Sequence, residues 1–244
     1  MLFNLYEFKI FILKSIKLIM DFTILLVVLK LKLISEGDAK IIKDFLKQME
    51  SEVKILLFSQ RFKCTGCREA ENLVDDLLEI SDKLKVEKYI SEDSKEVFHK
   101  YDVIYVPTFI VVSHKNPDGI RFLGVPLGYE FTSFLEDLVN ASKPIPDLPQ
   151  NIIDDLLSIE RNVHLKVFVT LSCPYCPIAV KFAHAFAMVN PKIRAEMIDA
   201  ALYPQLALKY SVSAVPKTVI NDRFEVLGAI PPNLLLDKIK EAVK

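Results

Sequence analysis

Short apolar runs and helical periodicities alternate along this chain, and the same alternation occurs twice. Val53–Ser59 and His164–Thr170 are rich in β-branched and other apolar residues and predict buried strands. Leu73, Val74, Leu77 and Leu78 then recur at helical spacing, as do Val180, Ala183, Phe186 and Ala187 in the second half. Second strands are predicted at about Leu84–Ile90 and Ile193–Asp199, each followed by a short helix that ends at a Lys-Tyr pair. Two further strand-like runs follow, joined by the turn signals Asn116-Pro117-Asp118-Gly119 in one half and Asn221-Asp222 in the other. Closing helices are predicted over Tyr129–Ala141 and Pro231–Val243. Both halves therefore read β-α-β-α-β-β-α. Between them, residues 143–149 hold three prolines in seven positions and predict a stiff connector.

Residues 1–34 are apolar yet do not match a membrane-spanning helix. The run Phe22–Leu29 is free of charge for only eight residues, against about 20 needed to cross a bilayer. Glu7, Lys9, Lys14, Lys17 and Asp21 interrupt the remainder, and no small-residue cleavage site follows, so a signal peptide is not expected. As a helix, the segment would gather Glu7, Lys14, Lys17 and Asp21 within about 80° of one another, with Lys9 off the stripe. Such a helix could dock on the protein, seed an oligomer, lie on a membrane, or be an upstream extension with Met20 as the true start. It accounts for part of the mean hydropathy of +0.28.

Composition adds bounds. A chain of 244 residues has length for one or two domains, and 51% hydrophobic with 26% charged residues excludes a disordered polymer. Its 31 basic and 32 acidic residues leave a formal net charge of −1, without the basic excess that nucleic-acid binding requires. The cysteines change the picture more. There are four, as Cys64-Thr65-Gly66-Cys67 and Cys173-Pro174-Tyr175-Cys176. A disulfide framework suits small, core-poor secreted domains, which this is not. Two C-x-x-C knuckles can also make a zinc site, but such knuckles stand about 15–20 residues apart, and here residues 68–172 intervene. The third reading is a pair of redox-active dithiols.

A repeat favours that third reading. At the offset that superposes Cys64 on Cys173, Lys100-Tyr101-Asp102-Val103-Ile104-Tyr105-Val106-Pro107 falls on Lys209-Tyr210-Ser211-Val212-Ser213-Ala214-Val215-Pro216 without a gap. Each first cysteine is thus followed at one fixed distance by a Val-Pro. The chain is a tandem of two similar units.

Strand, C-x-x-C at a helix start and a downstream Val-Pro together resemble the thioredoxin/glutaredoxin superfamily, and Cys-Pro-Tyr-Cys is the glutaredoxin-type tetrapeptide. Two such units with both motifs intact resemble the archaeal and thermophilic protein disulfide oxidoreductases, or glutaredoxin-like proteins. The resemblance runs from about Lys32 to the C-terminus. It is carried most specifically by Leu33-Ile34-Ser35-Glu36-Gly37-Asp38, Gly128-Tyr129-Glu130-Phe131, Phe168-Val169-Thr170 and Cys173-Pro174-Tyr175-Cys176-Pro177. It implies an α/β fold of two tandem thioredoxin-like domains, each a central mixed β-sheet flanked by helices. The expected layout is an extension at 1–34, a first domain at 35–142, a connector at 143–150 and a second domain at 151–244. It also implies cis prolines at Pro107 and Pro216 facing the dithiols, with Val106 and Val215 left free to pair with an extended substrate.

A free cysteine titrates near roughly 8.5, and a helix N-terminus favours its thiolate. Cys64 and Cys173 are therefore the expected nucleophiles, with Cys67 and Cys176, one turn into each helix, resolving the mixed disulfide. Pro174 suits a first helical turn, and Tyr175 could contact substrate. Arg61, Lys63 and Arg68 flank only the first site and would stabilise a thiolate there, and Gly66 makes that loop the more flexible. The two potentials are accordingly expected to differ by tens of millivolts, where about 30 mV corresponds to roughly 1.4 kcal/mol. Thioredoxins place a buried acid six residues before the nucleophile, where this chain has Phe58 and Val167. His99, His114, His164 and His184 are expected at surface or partly buried positions without a catalytic role. The expectation is a cytoplasmic enzyme acting on protein disulfides or dithiols through its own redox-active disulfides, with no organic cofactor, no metal and no nucleic acid. Two alternatives stay beside it: an electron relay between a flavoprotein reductase and a peroxiredoxin, and a zinc-binding or chaperone-like module with structural cysteines.

Overall fold

The computed structural model describes residues 32–244, of which Ile34–Lys244 form one compact unit. All but the last three residues of the expected 1–34 extension lie outside the described residues. Each half opens on a helix that the hydrophobic pattern did not announce: α1 (Glu36–Leu46) and α5 (Gln150–Leu157). Helix α1 buries only Ile42 and Leu46, too sparse a stripe to stand out, but Ser35 caps it by accepting the Asp38 N–H at 3.2 Å. The expected connector ends one residue early, because the Pro149 carbonyl accepts the N–H groups of Ile152 and Ile153 and starts α5.

The first half continues with β1 (Val53–Ser59), α2 (Cys67–Ile80), β2 (Leu84–Ile90), α3 (Lys95–Lys100), β3 (Thr108–Val111), β4 (Ile120–Leu123) and α4 (Glu130–Ala141). The second repeats the order with β5 (Val163–Val169), α6 (Cys176–Val189), β6 (Ile193–Asp199), α7 (Pro204–Lys209), β7 (Lys217–Ile220), β8 (Phe224–Leu227) and α8 (Pro232–Ala242). The predicted β-α-β-α-β-β-α order holds in both, and the fold is two tandem thioredoxin-like units. The sheets of the two units are not separate. Strand β4 pairs in parallel with β6, Ile120 opposite Ala195 through Leu123 opposite Ile198, and makes one eight-stranded sheet in the order β2-β1-β3-β4-β6-β5-β7-β8.

Period-two alternation sorts the strand residues onto two faces. Ile55, Leu57, Phe109, Phe122, Leu165, Val167, Ala195 and Met197 join residues of α1, α2, α4, α5, α6 and α8 in the main core. The opposite face carries two smaller clusters, Leu56, Phe58 and Ile110 under α3, and Phe168, Ile198 and Val219 under α7. Helix α6 is buried on most of its circumference, with alanines at 179, 183, 185 and 187 that admit close neighbours on the sheet and on α4.

The turn between β3 and β4 departs from the repeat. Residues 112–119 join those strands, whereas residues 221–223 suffice between β7 and β8. The short connection has Asn221 and Asp222 both at positive φ, the central positions of a type I′ turn closed by Arg223 N–H to Ile220 O at 3.1 Å. The longer turn reaches into the second unit: the buried Asn116 amide donates to Ala187 O at the end of α6 (2.9 Å) and to Ile193 O at the start of β6 (2.7 Å). Asn116→Ala leaves both carbonyls without that donor. Urea unfolding should show a loss of about 2–4 kcal/mol, since each buried acceptor left unsatisfied costs about 1–3 kcal/mol. A loss below about 0.5 kcal/mol, the scatter of neutral surface changes, would refute the tie.

Candidate active site

Strand β1 ends at Ser59 and residues 60–63 lead to Cys64, while β5 ends at Val169 and residues 170–172 lead to Cys173. The first loop is therefore one residue longer, and it accommodates Lys63 at a φ of 54°. The helices start at Cys67 and Cys176, so each second cysteine is the first helical residue rather than a turn inside. Pro174 accordingly stands in the turn before α6 and not within it. Pro177 occupies the first helical turn, where a missing N–H leaves no bond unmade. Cys64 is disulfide-bonded to Cys67 and Cys173 to Cys176, with Cα separations of 5.6 and 5.5 Å.

The two sulfurs of each pair differ in access. Cys64 and Cys173 are half-buried, whereas Cys67 is 4% exposed and Cys176 fully buried. An incoming group meets the first cysteine. Both Val-Pro bonds are cis, at Val106-Pro107 and Val215-Pro216. The valine carbonyls face the accessible sulfurs, with Val106 O 3.7 Å from Cys64 Sγ and Val215 O 3.8 Å from Cys173 Sγ. Both prolines are buried and both valines half-buried, and Tyr175 is 67% exposed on the rim of the second site. Gly66 caps α2 at a φ of 89°, where a Cβ would stand 3.1 Å from Val125 and 3.6 Å from Pro107. Only a residue without a side chain suits both the dihedral and the approach of the proline loop.

The expected cationic flank of Cys64 is partly diverted. Arg61 is ion-paired to Asp93, which raises its own pKa, and its backbone N–H donates to Glu92 at 3.2 Å. Lys63 and Arg68 remain exposed beside the sulfurs. A recess at this site is lined by Gln60, Arg68, Glu71, Ile90 and both cysteines, and Glu71 there accepts the Ser59 hydroxyl at 2.9 Å.

The second site borrows from the first unit. At Gly128 (φ 58°) a Cβ would stand 2.3 Å from Leu171 O, and the Tyr129 N–H donates to that same carbonyl at 3.0 Å. This contact brings the start of α4 against the loop before Cys173. Glu130, the next residue, is fully buried. Burial pushes its carboxyl up to about 7, against the opposing pull of the Ser133 hydroxyl (2.7 Å) and of His184, with Asp137 and Asp199 adding to the rise. His184 corrects an expectation: it is wholly buried, with Nδ1 2.5 Å from Asp137 Oδ2. His99 and His114 are exposed, and His164 is half-buried against Glu196 at 2.9 Å. Sequence periodicity marks a helix at 129–141 but cannot show that its polar residues face a second helix, so the burial of Glu130 and Asp137 is not legible in the sequence.

A further recess contains neither cysteine pair. It lies over the β4–β6 seam on the face carrying α3 and α7, and its floor is the cross-strand row Arg121, Glu196, Lys166. Its charges are largely matched from within, Lys166 by Asp222 (2.5 Å), Arg194 by Asp102 (3.1 Å) and Glu196 by His164.

The chain is similar in sequence and fold to known proteins. The thioredoxin domain family matches residues 163–241. An NADH dehydrogenase of Ferdinandcohnia aciditolerans is 31% identical over 180 residues, 74% of this chain and 32% of that protein. The F component of alkyl hydroperoxide reductase from Staphylococcus aureus is 27% identical with the same shares covered. The chain thus spans about a third of the length of these curated relatives. Among solved structures, a protein disulfide oxidoreductase of Aeropyrum pernix superposes with a TM-score of 0.80 at 29% identity, over 86% of this chain and 93% of its own.

The buried acid has a consequence for stability. Between roughly pH 4.5 and pH 7, folded Glu130 holds a proton that the unfolded chain has released, so stability falls as pH rises through that window. In Glu130→Gln the decline from pH 5 to pH 8 should be shallower by on the order of 2–3 kcal/mol in urea unfolding, a shift of about two pKa units. A residual slope remains from Asp137 and Asp199, which burial also raises. Equal slopes in variant and wild type would refute this assignment.

Proposed function

We propose that this chain, similar over 86% of its length to a solved protein disulfide oxidoreductase, is a dithiol–disulfide oxidoreductase of protein disulfides with two active sites. The observation that carries this reading is the unequal access of the two sulfurs at each site, beside the carbonyl that precedes a buried proline. In the reducing direction, the thiolate of Cys64 or Cys173 attacks a target disulfide, forming a mixed disulfide and releasing one target sulfur as a thiolate. Cys67 or Cys176 then attacks the adjoining sulfur, closing the protein disulfide and releasing the second target thiol. Two electrons pass from dithiol to target, and the reverse sequence oxidises a target. Neither Val106 nor Val215 has a backbone hydrogen bond at its N–H among the described residues. That supports Val106, Pro107, Val215 and Pro216, with Tyr175, as the surface that aligns an extended substrate. The dithiols carry the electrons themselves, so the reading invokes no organic cofactor and no metal. Among the described residues no helix is long and apolar enough to cross a membrane.

A second reading has its own support. The matched relatives are an NADH dehydrogenase and a component of a hydroperoxide reductase, each about three times the matched length. This favours a relay that takes electrons from a flavoprotein reductase and hands them to a peroxiredoxin.

Insulin disulfide reduction separates the possibilities. Wild type should turn over, and Cys64→Ser and Cys173→Ser should each retain activity at the remaining site, while the double variant falls to the uncatalysed rate. A double variant as active as wild type overturns the proposal. Hydroperoxide-dependent NADH oxidation with a flavoprotein reductase and a peroxiredoxin, present only when the chain is added, would favour the relay.

A further inference from the structure

Resolution at the first site needs a base that the exchange chemistry leaves unassigned. Cys67 is 4% exposed, so its thiol can shed a proton only into the recess it shares with Cys64. The carboxylate in that recess is Glu71. It follows Cys67 by four positions on α2, which puts the two on one helix face with Cβ atoms roughly 5–6 Å apart. Its Oε1 is held by the Ser59 hydroxyl at 2.9 Å, which aims the group from the end of β1 across the recess. The other charged groups around it are Arg61, engaged by Asp93, then Lys63 and Arg68 on the rim, and Asp75 one turn on, engaged by Lys88 at 2.6 Å. The corresponding position of the second unit is Val180, fully buried, so the second site has no such group on its own helix.

Building on the disulfide-exchange reading above, we infer that Glu71 is the proton acceptor for Cys67 in the resolving step of the first site. With the target joined to Cys64, the Cys67 S–H proton passes to the Glu71 carboxylate through water in the recess. The Cys67 thiolate attacks Cys64 Sγ, the Cys64–Cys67 bond forms, and the bond to the target breaks. The departing thiolate recovers the proton from the Glu71 carboxylic acid. Atoms and electrons balance within dithiol and target, and Glu71 ends as it began. It serves Cys67 and leaves the first attack by Cys64 unaffected.

The test uses the full chain with Cys173→Ala and Cys176→Ala, so that one dithiol remains, and Ellman's disulfide as probe. Stopped-flow absorbance resolves two thionitrobenzoate releases, the first reporting attack by Cys64 and the second resolution by Cys67. In Glu71→Gln the second release should slow at least about tenfold between pH 5.5 and 7.5. Its rate should then rise in proportion to hydroxide across that range, while the first release changes less than twofold. Glu71→Asp should recover part of the second phase. An unchanged second phase in Glu71→Gln overturns the inference, as does equal slowing of both phases, which would mark a structural role through Ser59. Failure of the exchange reading looks different: the unsubstituted dithiol would give no second release.

Discussion

Four residues of β4, Ile120–Leu123, hydrogen-bond in parallel to Ala195–Ile198 of β6, and the rest of the molecule is arranged around that pairing. It turns two four-stranded sheets into one, which forces α4 and α6 together over the seam. A helix placed so has neighbours on nearly every side, and α6 meets the requirement with alanines and almost no charge. The few polar groups on these helices must then find partners within the seam, as Asp137 does with His184 and the last carbonyls of α6 do with Asn116 of the β3–β4 turn. The seam also braces each site from the other unit. The Tyr203 hydroxyl donates to the carbonyl of Pro107 at 3.1 Å beside the first disulfide, and Tyr129 donates to Leu171 beside the second.

The parts legible in the sequence are those whose cause is local. The strand at Val53–Ser59 follows from an apolar run, and those at Leu84–Ile90 and Ile193–Asp199 from apolar residues interleaved with charged ones. The separation of each first cysteine from its Val-Pro follows from β1–β3 and β5–β7 pairing, which fixes how far the chain must travel before it returns beside the cysteine loop. Partnerships across the seam left no such trace. Asn116 reads as a turn former, which it is, while its amide does a second task that only the neighbouring unit explains. Arg61 reads as a cation near a cysteine, yet Asp93, beyond β2, holds it. Glu130 stands in the first turn of α4, where the dipole favours a carboxylate, and burial outweighs the dipole.

The two sites share the geometry of sulfur and carbonyl and differ in where an acid stands. At the first, Glu71 belongs to the helix that carries Cys67, half-buried and open to the recess. At the second, the acid beside the contact that braces the pre-cysteine loop is Glu130, which comes from the other unit and titrates close to neutrality. Duplication of a redox unit duplicates its proton-handling group only where that group lies within the unit and keeps its residue type. With Glu71 in its proposed role, the second condition fails here, since Val180 stands where Glu71 does.

That asymmetry bears on how the sites differ in chemistry. Flanking cations would tune the attacking thiolate, but Arg61 is already committed and Glu92 and Asp93 lie beside it, so the local charge at Cys64 is less positive than the sequence suggests. The groups that do differ in kind are carboxyls that hold or release protons. Carboxyls of this sort act on a buried thiol, which must lose a proton before it can attack, more than on an exposed one that exchanges with water. In the proposed exchange, such a difference would fall chiefly on Cys67 and Cys176, the buried sulfur of each pair. On that proposal it would set how long each mixed disulfide survives more than how quickly each one forms.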